Sequence, residues 1–524
     1  MTREEAVVGA GLAAAREPRR IRAGERIHVV GVAGAGASAA ALLAGHAGAA
    51  PSGCDVGGPS SYTPPLDAAR IPLAWEHAVS HVTDPPTPDR LAVTKALTAI
   101  DPDHPELDAA RRAGVPIEPW QQVVADAAVG HRMVAVAGTH GKSTTSGWLV
   151  HALTHGGADP AAFVGALMPS SLTGGLPATA RWGGGPFVVE ADEYAGNFDP
   201  YRPQTIVLTS IEWDHPDVFA DLEAVSMAFE RWIRAAGTPD AAEPPLLVAN
   251  VGDPNVAAVC HRLRPDWPGR ILATAVVDAA AQRLDGYARG LADEFGSRGE
   301  PAVVLLGRVA AAEPEGTLVE LFSRTLLGEP HTVRLATAGR HNVANALGVV
   351  GAASSLRLPV TAVLGGLSAF RGVGRRLERK GESAGVAVYD DYGHHPTAIR
   401  ETIRAIRQRE PGRRLWAVYE PLTFHRTAAL LDAFATALAE ADGVAVADIW
   451  AGRDRDTTIA SAAQLADAVA RERPGLPVAA PGSVEATATW LAAEVRAGDA
   501  VLVMGGGRSY RIGELLLEQL EIRP

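Results

Sequence analysis

A chain of 524 residues exceeds the size of one ordinary hydrophobic core, and its 47% hydrophobic content fits a soluble globular protein of two to four domains. Its 48 basic and 60 acidic side chains leave a formal charge of −12 at pH 7, which argues against nonspecific binding to nucleic acid or an anionic membrane. Two cysteines, Cys54 and Cys260, are too few for a disulfide framework and fit a reducing cytoplasm.

In chain order, Met1–Glu25 has no continuous apolar region of a leader, and no later stretch approaches a spanning helix, so a cytoplasmic protein is expected. Arg26–Val32 predicts a strand running into Gly31-Val-Ala-Gly34-Ala35-Gly36-Ala-Ser38, followed by a helix over Ala39–His46. The spacing is Gly-x-x-Gly-x-Gly, not the dinucleotide fingerprint, yet it offers backbone N–H groups and a helix N-terminus to a pyrophosphate. A tight turn needed only for packing is the competing reading. Pro51–Asp55 predicts the end of a second strand, and prolines at 84–88 and 101–105 break the rest of this unit into short elements.

A second α/β unit is predicted to begin near His131. His131–Ala137 reads as a buried strand, Gly138-Thr139-His140-Gly141-Lys142-Ser143-Thr144 as a phosphate loop, and Ser146–Thr154 as a helix. Lys142 is one of three lysines, with Lys95 and Lys380, in a chain that otherwise uses arginine. Glycines there would let the backbone close around phosphate oxygens, Lys142 would reach the β/γ-phosphates, and Ser143 would bind Mg²⁺. Val136 departs from the usual signature, which begins with glycine.

Phe187-Val-Val-Glu190-Ala-Asp192-Glu193-Tyr194 ends an apolar strand in carboxylates, with Glu190 and Asp192 on one side of an extended segment. Such oxygens suit Mg²⁺ beside a phosphate loop, although a solvated acidic loop has the same composition. Ile211-Glu212-Trp213-Asp214-His215-Pro216-Asp217 sets a histidine between acids, a metal ligand or base if not a helix cap. Strands are expected at Phe187–Glu190, Thr205–Thr209 and Leu246–Asn250, and a local β insertion at 280–335. In Gly339-Arg340-His341-Asn342-Val343-Ala344-Asn345, the two amides share a helix face and could read a base edge; capping by Asn342 is the alternative.

A third α/β unit is expected after Arg375, with strands near Val386–Asp390, Leu415–Tyr419, Gly443–Ala447 and Ala500–Met504. Arg375-Arg376, Tyr389-Asp390-Asp391-Tyr392-Gly393-His394-His395-Pro396-Thr397 and Glu420-Pro421-Leu422-Thr423-Phe424-His425-Arg426-Thr427 fall near its strand ends. Arginines there suit phosphate or carboxylate, and surface ion pairing is the competing reading.

In this order, the motifs resemble the Mur ligase family over about residues 26 to 515, most specifically in Gly138–Thr144, Glu190–Glu193, Asp214-His215, His341–Asn345 and Asp390–Thr397. The resemblance implies an α/β protein of three domains. These are a Rossmann-like UDP-sugar domain (1–130), a central P-loop ATPase-like domain (131–372) and a Rossmann-like C-terminal domain for the incoming amine (373–524). It implies an ATP- and Mg²⁺-dependent carboxylate–amine ligase of peptidoglycan precursor synthesis. Such an enzyme would join L-alanine to the lactyl carboxylate of UDP-N-acetylmuramate through an acyl phosphate, as a monomer or homodimer.

By the same resemblance, Gly31, Gly34, Ala35, Gly36, Ser38 and Asp55 would hold the UDP-sugar. Gly138, Thr139, His140, Gly141, Lys142, Ser143 and Thr144 would hold the phosphates. Ser143, Glu190 and His215 would bind Mg²⁺. His341, Asn342, Asn345, Arg376 and Asp390 would complete the ATP site, and Tyr392, His394 and Arg426 would face the amino acid. Catalysis would fall to Lys142, Glu190, His215 and Arg376.

Glu420-Pro421-Leu422 stands where alanine-adding relatives usually have Gln-Pro-His. Tyr194 and Asp214–Leu222 lean toward a branch that attaches the recycled tripeptide L-alanyl-γ-D-glutamyl-meso-diaminopimelate, whereas His425-Arg426-Thr427 leans back. Some members of the family use a carbamylated lysine as an extra metal bridge; residues 216–230 contain no lysine, and if a bridge is needed, a carboxylate such as Glu230 would stand in for it. A catalytically silent nucleotide-binding scaffold and a folate-type amide ligase are further readings.

Overall fold

The computed structural model describes residues 8–101, 103–237, 243–278, 284–296, 300–452, 454 and 456–522. Three sheets follow one another along the chain. The first has five parallel strands in the spatial order Leu73–Ala74, Ala50–Cys54, Arg26–Val30, Arg90–Val93, Ile117–Pro119. The helix Ala35–His46 begins one turn earlier than the sequence suggests, directly off the glycine loop.

The central sheet has ten strands. Its middle is parallel, in the order Leu246–Asn250, Thr205–Leu208, Met133–Ala137, Phe187–Ala191. Met133–Ala137 is buried along its whole length, as befits a parallel strand covered on both faces. Val134 and Val136 point into the core beneath the helices Lys142–His155 and Arg340–Ser354, while Met133, Ala135 and Ala137 point into a core shared with the first sheet. Each fully buried valine of this kind contributes about 1.5–3 kcal/mol. The helix after the phosphate loop starts at Lys142, four residues before the predicted Ser146.

The expected insertion at 280–335 is corrected in two ways. Leu284–Phe295 is a helix, and the strands Val303–Glu313, Gly316–Phe322 and His331–Leu335 extend the central sheet rather than standing apart. Val303–Glu313 pairs parallel to Arg270–Val277, and the next two strands add to it antiparallel.

The third sheet runs Glu378–Ser383, Val386–Asp391, Asp499–Gly505, Arg414–Glu420, Gly443–Ala447, Val478–Gly482, parallel except for its first strand. Its two faces fill separate cores. Among the described residues no helix is long and apolar enough to cross a membrane.

The carboxyl ends of the parallel strands carry the chemistry-bearing loops of all three sheets, as expected of open α/β sheets. Several contacts tie the first unit to the second, two of them beside the glycine loop and the cleft. Thr179 donates its hydroxyl to the Ala35 carbonyl (2.9 Å), and Trp120 meets Phe163 edge-on at 5.2 Å.

Candidate active site

The phosphate loop springs from Met133–Ala137 and is held open by backbone that only glycine adopts readily. Gly138 has φ +131° and Gly141 φ +81°. A Cβ on Gly138 would lie 2.2 Å from Thr209 Oγ1, and one on Gly141 would lie 2.6 Å from Asn345 Oδ1. Lys142 folds back over the loop, donating to the Gly138 carbonyl (2.7 Å) and to Glu193 Oε2 (2.9 Å). Burial works against the Lys142 charge, but Glu193 and Asp192 outweigh it and keep the ammonium protonated. Burial, with Asp192 adding and Lys142 opposing, pushes Glu193 up to about 7.

Two groups of acids face the loop. Ser143 donates its hydroxyl to Glu190 Oε1 (2.9 Å), and Glu190 Oε2 accepts from the Gly165 amide. Asp192, Glu193 and His215 bring their ligand atoms within 4.8 Å of one another. His215 holds a left-handed backbone, φ +56°, which is costly for a residue with a Cβ and is found where surrounding contacts fix a functional side chain. Both groups offer hard oxygen donors and so fit Mg²⁺ beside phosphates.

The third unit reaches across to this cluster. Arg376 donates to Ser143 Oγ (2.9 Å), continuing into the Ser143–Glu190 pair. Arg426 donates to Asp214 Oδ1 (2.7 Å) and lies 3.2 Å from His215 Nδ1. Arg375 and Arg376 flank the Tyr392 ring at 5.0 and 5.1 Å. His394, pushed well below the ordinary imidazole range by burial and by the nearby Arg426 charge, is neutral.

Most of these side chains line a cleft of about 360 Å³ with walls from all three units. Ala35, Gly36, Thr139, His140, Gly141, Lys142, Ser143, Glu190, His215, Arg376, Tyr392, His394 and Arg426 lie on it. Several predicted residues are placed elsewhere. Ser38 is fully buried, its hydroxyl donating to the Ala35 carbonyl, so it braces the glycine loop. Asp55 clamps the same region by accepting from the Ala33 and Gly57 amides. Gly31 and Gly34 form the loop turn, the Gly34 amide donating to the Gly31 carbonyl, and are not on the cleft wall. Thr144 likewise is not on that wall.

Asp390 is also displaced from its expected role. It lies inside its sheet against Arg375 Nε (3.1 Å), while Asp391, its neighbour, faces the cleft. Alternation along the strand decides which of the two acids points outward. Asn342 donates to the Ala338 carbonyl and accepts from Asn345, so this pair sits behind the phosphate loop, with His341 beside Glu401 at 3.7 Å. Glu230 is no metal bridge, because it pairs with Arg262 (2.6 Å) and Arg234 (2.9 Å) on its own side of the helix Leu222–Arg234. Tyr62, Trp120, Phe163, Asn197 and Tyr201 line the cleft without any motif to announce them; folding alone brings them there. Leu422, noted as a departure, shares the wall with His394 and Arg426.

Comparison with known proteins agrees with this geometry. Residues 26–132 match the model for the Mur ligase family, catalytic domain, and residues 375–507 the model for Mur ligase, glutamate ligase domain. The UDP-N-acetylmuramate–L-alanine ligase of Kineococcus radiotolerans is 38% identical over 95% of this chain and 97% of its own. The enzyme of the same name from Mycolicibacterium vanbaalenii is 35% identical over 95% and 97%. Among solved structures, a UDP-N-acetylmuramate–alanine ligase from Thermotoga maritima superposes with a TM-score of 0.71 at 23% identity, covering 94% of this chain and 98% of that one. A murein peptide ligase from Psychrobacter arcticus gives 0.68 at 23%, covering 96% and 100%. A phosphate loop, an acid cluster and arginines from a third sheet meeting in one cleft, together with near full-length identity above 30%, place this chain in the Mur ligase family.

Proposed function

We propose that this chain is an ATP-dependent ligase that joins L-alanine to the lactyl carboxylate of UDP-N-acetylmuramate, releasing ADP and phosphate. The observation that carries the reading is the meeting of Lys142, Glu190, His215, Arg376 and Arg426 on one cleft, beside the glycine-loop residues Ala35 and Gly36. The identity of the named relatives over nearly the whole chain supports the same sugar and amine. The units are read as UDP-sugar domain 1–130, ATP domain 131–372 and amine domain 373–524.

A carboxylate is a poor electrophile, and phosphorylation supplies the missing leaving group. Lys142, freed from Glu193 by a competing phosphate, would neutralise charge on the transferred group, and Arg376 would add a second cation from the closing domain. Mg²⁺, held by Ser143 and Glu190 with His215 at a second position, would supply Lewis-acid stabilisation of the phosphate oxygens. The free amine then attacks the acyl phosphate, phosphate leaves, and the amide forms. His394 lies on the cleft wall beside Arg426, and because burial and that charge lower its basicity, it is placed to orient the incoming amine rather than to hold the proton the ammonium loses. Closure of the three units over the cleft excludes water, which would otherwise hydrolyse the acyl phosphate.

The test is phosphate release by the purified protein with Mg-ATP and UDP-N-acetylmuramate, comparing L-alanine with L-alanyl-γ-D-glutamyl-meso-diaminopimelate. Release with L-alanine is expected. Release with the tripeptide alone would move the protein to cell-wall recycling, and none with either amine would leave a nucleotide-binding scaffold.

A further inference from the structure

Outside the cleft, the first unit contains a second concentration of metal-binding side chains. His28 lies on the strand Arg26–Val30, Cys54 ends Ala50–Cys54, His81 lies on the short helix Ser80–Thr83, and Glu106 opens the helix Pro105–Ala113. His28 Nε2 is 3.3 Å from Cys54 Sγ and 3.6 Å from Glu106 Oε2. Cys54 Sγ is 3.3 Å from Glu106 Oε2, and His81 Nδ1 is 2.8 Å from Glu106 Oε1. One ligand atom from each of the four lies within 4.8 Å of all the others.

Tetrahedral zinc, with bonds of 2.0–2.3 Å to nitrogen, oxygen and sulfur, sets neighbouring ligand atoms about 3.3–3.7 Å apart. The three separations among His28, Cys54 and Glu106 already fall in that range, and His81 stands closer to Glu106, at 2.8 Å. The outer shell is built in the same sense. His28 directs Nδ1 to Ser52 Oγ (2.9 Å), which turns Nε2 inward, the arrangement that orients metal-ligating imidazoles.

Two more imidazoles surround the group. His77 Nδ1 is 3.2 Å from Cys54 Sγ. His104 packs edge-on against His77 at 4.4 Å; it is 1% exposed, and neither ring nitrogen has a hydrogen-bond partner among the described residues. A buried imidazole with both ring nitrogens unsatisfied, packed on the His77 that itself reaches the Cys54 thiol, is costly for a merely structural core and suits a ligand-binding one.

We infer that His28, Cys54, His81 and Glu106 form a closed site for one zinc-class divalent cation in the first unit. Binding displaces the Cys54 thiol proton to solvent, and the thiolate, the carboxylate and two neutral imidazoles complete the coordination. The site sits at the root of the glycine loop, because the Cys54 carbonyl accepts from the amides of Gly31 (2.9 Å) and Val32 (3.1 Å). The cation would therefore stiffen the strand ends that present Ala35 and Gly36 to the cleft.

The experiment is titration of metal-free, full-length protein with Co²⁺, followed by its absorption spectrum and by thermal unfolding, then displacement with Zn²⁺. One equivalent should give tetrahedral d–d bands and a thiolate-to-cobalt charge-transfer band, and should raise Tm by mass action. Cys54→Ser should abolish the charge-transfer band, Cys260→Ser should keep it, and His81→Ala should weaken Co²⁺ binding about 10-fold or more. The cleft offers oxygen and imidazole donors but no thiolate, so cations held there give no such band and the two sites are separable. A wild-type protein with no such band at stoichiometric Co²⁺, or a band surviving Cys54→Ser, would overturn the site. If Cys54→Ser does not fold, His81→Ala decides: unchanged affinity would overturn it as well.

Discussion

Arg426, from the third unit, donates to Asp214 of the central unit at 2.7 Å, and both side chains are almost wholly buried, at 2% and 5% exposed. A buried ion pair spanning two domains is expensive to break from one side, because the remaining charge keeps its desolvation penalty without its partner. Burial opposes the Asp214 charge, but Arg426, followed by His215, holds the carboxyl well below its ordinary range. Arg426→Ala should therefore destabilise the closed arrangement by about 3–5 kcal/mol. Arg426→Ala/Asp214→Ala together should cost less than the sum of the two single changes. A double-mutant cycle on turnover and on unfolding measures this; additive effects would mean that the pair does not couple the units.

Lys142 is the cation nearest the phosphate loop, and its removal leaves Glu193 and Asp192 facing each other unopposed. Lys142→Ala should lower kcat by about 10³-fold, in the range for loss of one preorganised charge-stabilising group. Phosphate release at saturating substrates reads this directly. Unchanged turnover would remove Lys142 from the phosphoryl-transfer step.

Gly141 combines a left-handed backbone with contact against Asn345, so Gly141→Ala should fail on both counts. A displacement of the loop by about 1 Å should reduce kcat/KM by about 10²-fold. Asn345→Ala in the same chain relieves the collision but not the backbone strain, and so should restore part of the loss. Full rescue would show that the positive φ contributes little.

His395 supplies a pH dependence whose sign is fixed by its burial. The Thr397 amide donates to His395 Nδ1 (3.3 Å), so that nitrogen bears no proton, and Nε2 faces the Trp213 carbonyl at 3.2 Å. Glu212 lies 3.3 Å from Nδ1 and would favour the charged ring, but burial and the neighbouring His140 prevail and lower His395 to about 4. An unfolded histidine titrates near 6.5, so between about pH 4 and 6.5 the unfolded chain binds more protons than the folded one. Stability should thus be complete above about 6.5 and fall as the pH drops toward 4, by at most about 1.4 kcal/mol per pH unit from this group. Comparing Tm of the wild type with His395→Gln across that window tests it: the variant should show a shallower slope.

The strands at 133–137, 187–191, 205–208 and 246–250 were legible because runs of valine, alanine and leucine bounded by glycine or acids admit little else in a parallel sheet. The extension of the central sheet by 303–335 was not, since antiparallel edge strands with mixed polarity read the same whether they continue a sheet or form their own.

The site divides along the same line. Short-range chemistry determined Lys142, Ser143, Glu190 and the acids around His215, because a loop that wraps phosphate needs glycine, a cation and hydroxyls at adjacent positions. Which neighbours serve that loop was decided by the tertiary structure. Packing aims Arg376 at Ser143 and turns Arg375 to Asp390. It buries Ser38 under Thr179 and draws Trp120 and Tyr201 to the cleft. It also gathers His28, Cys54, His81 and Glu106 from four separate elements. Those placements depend on strand order, side-chain alternation and the docking of one sheet on another, none of which is encoded in local spacing.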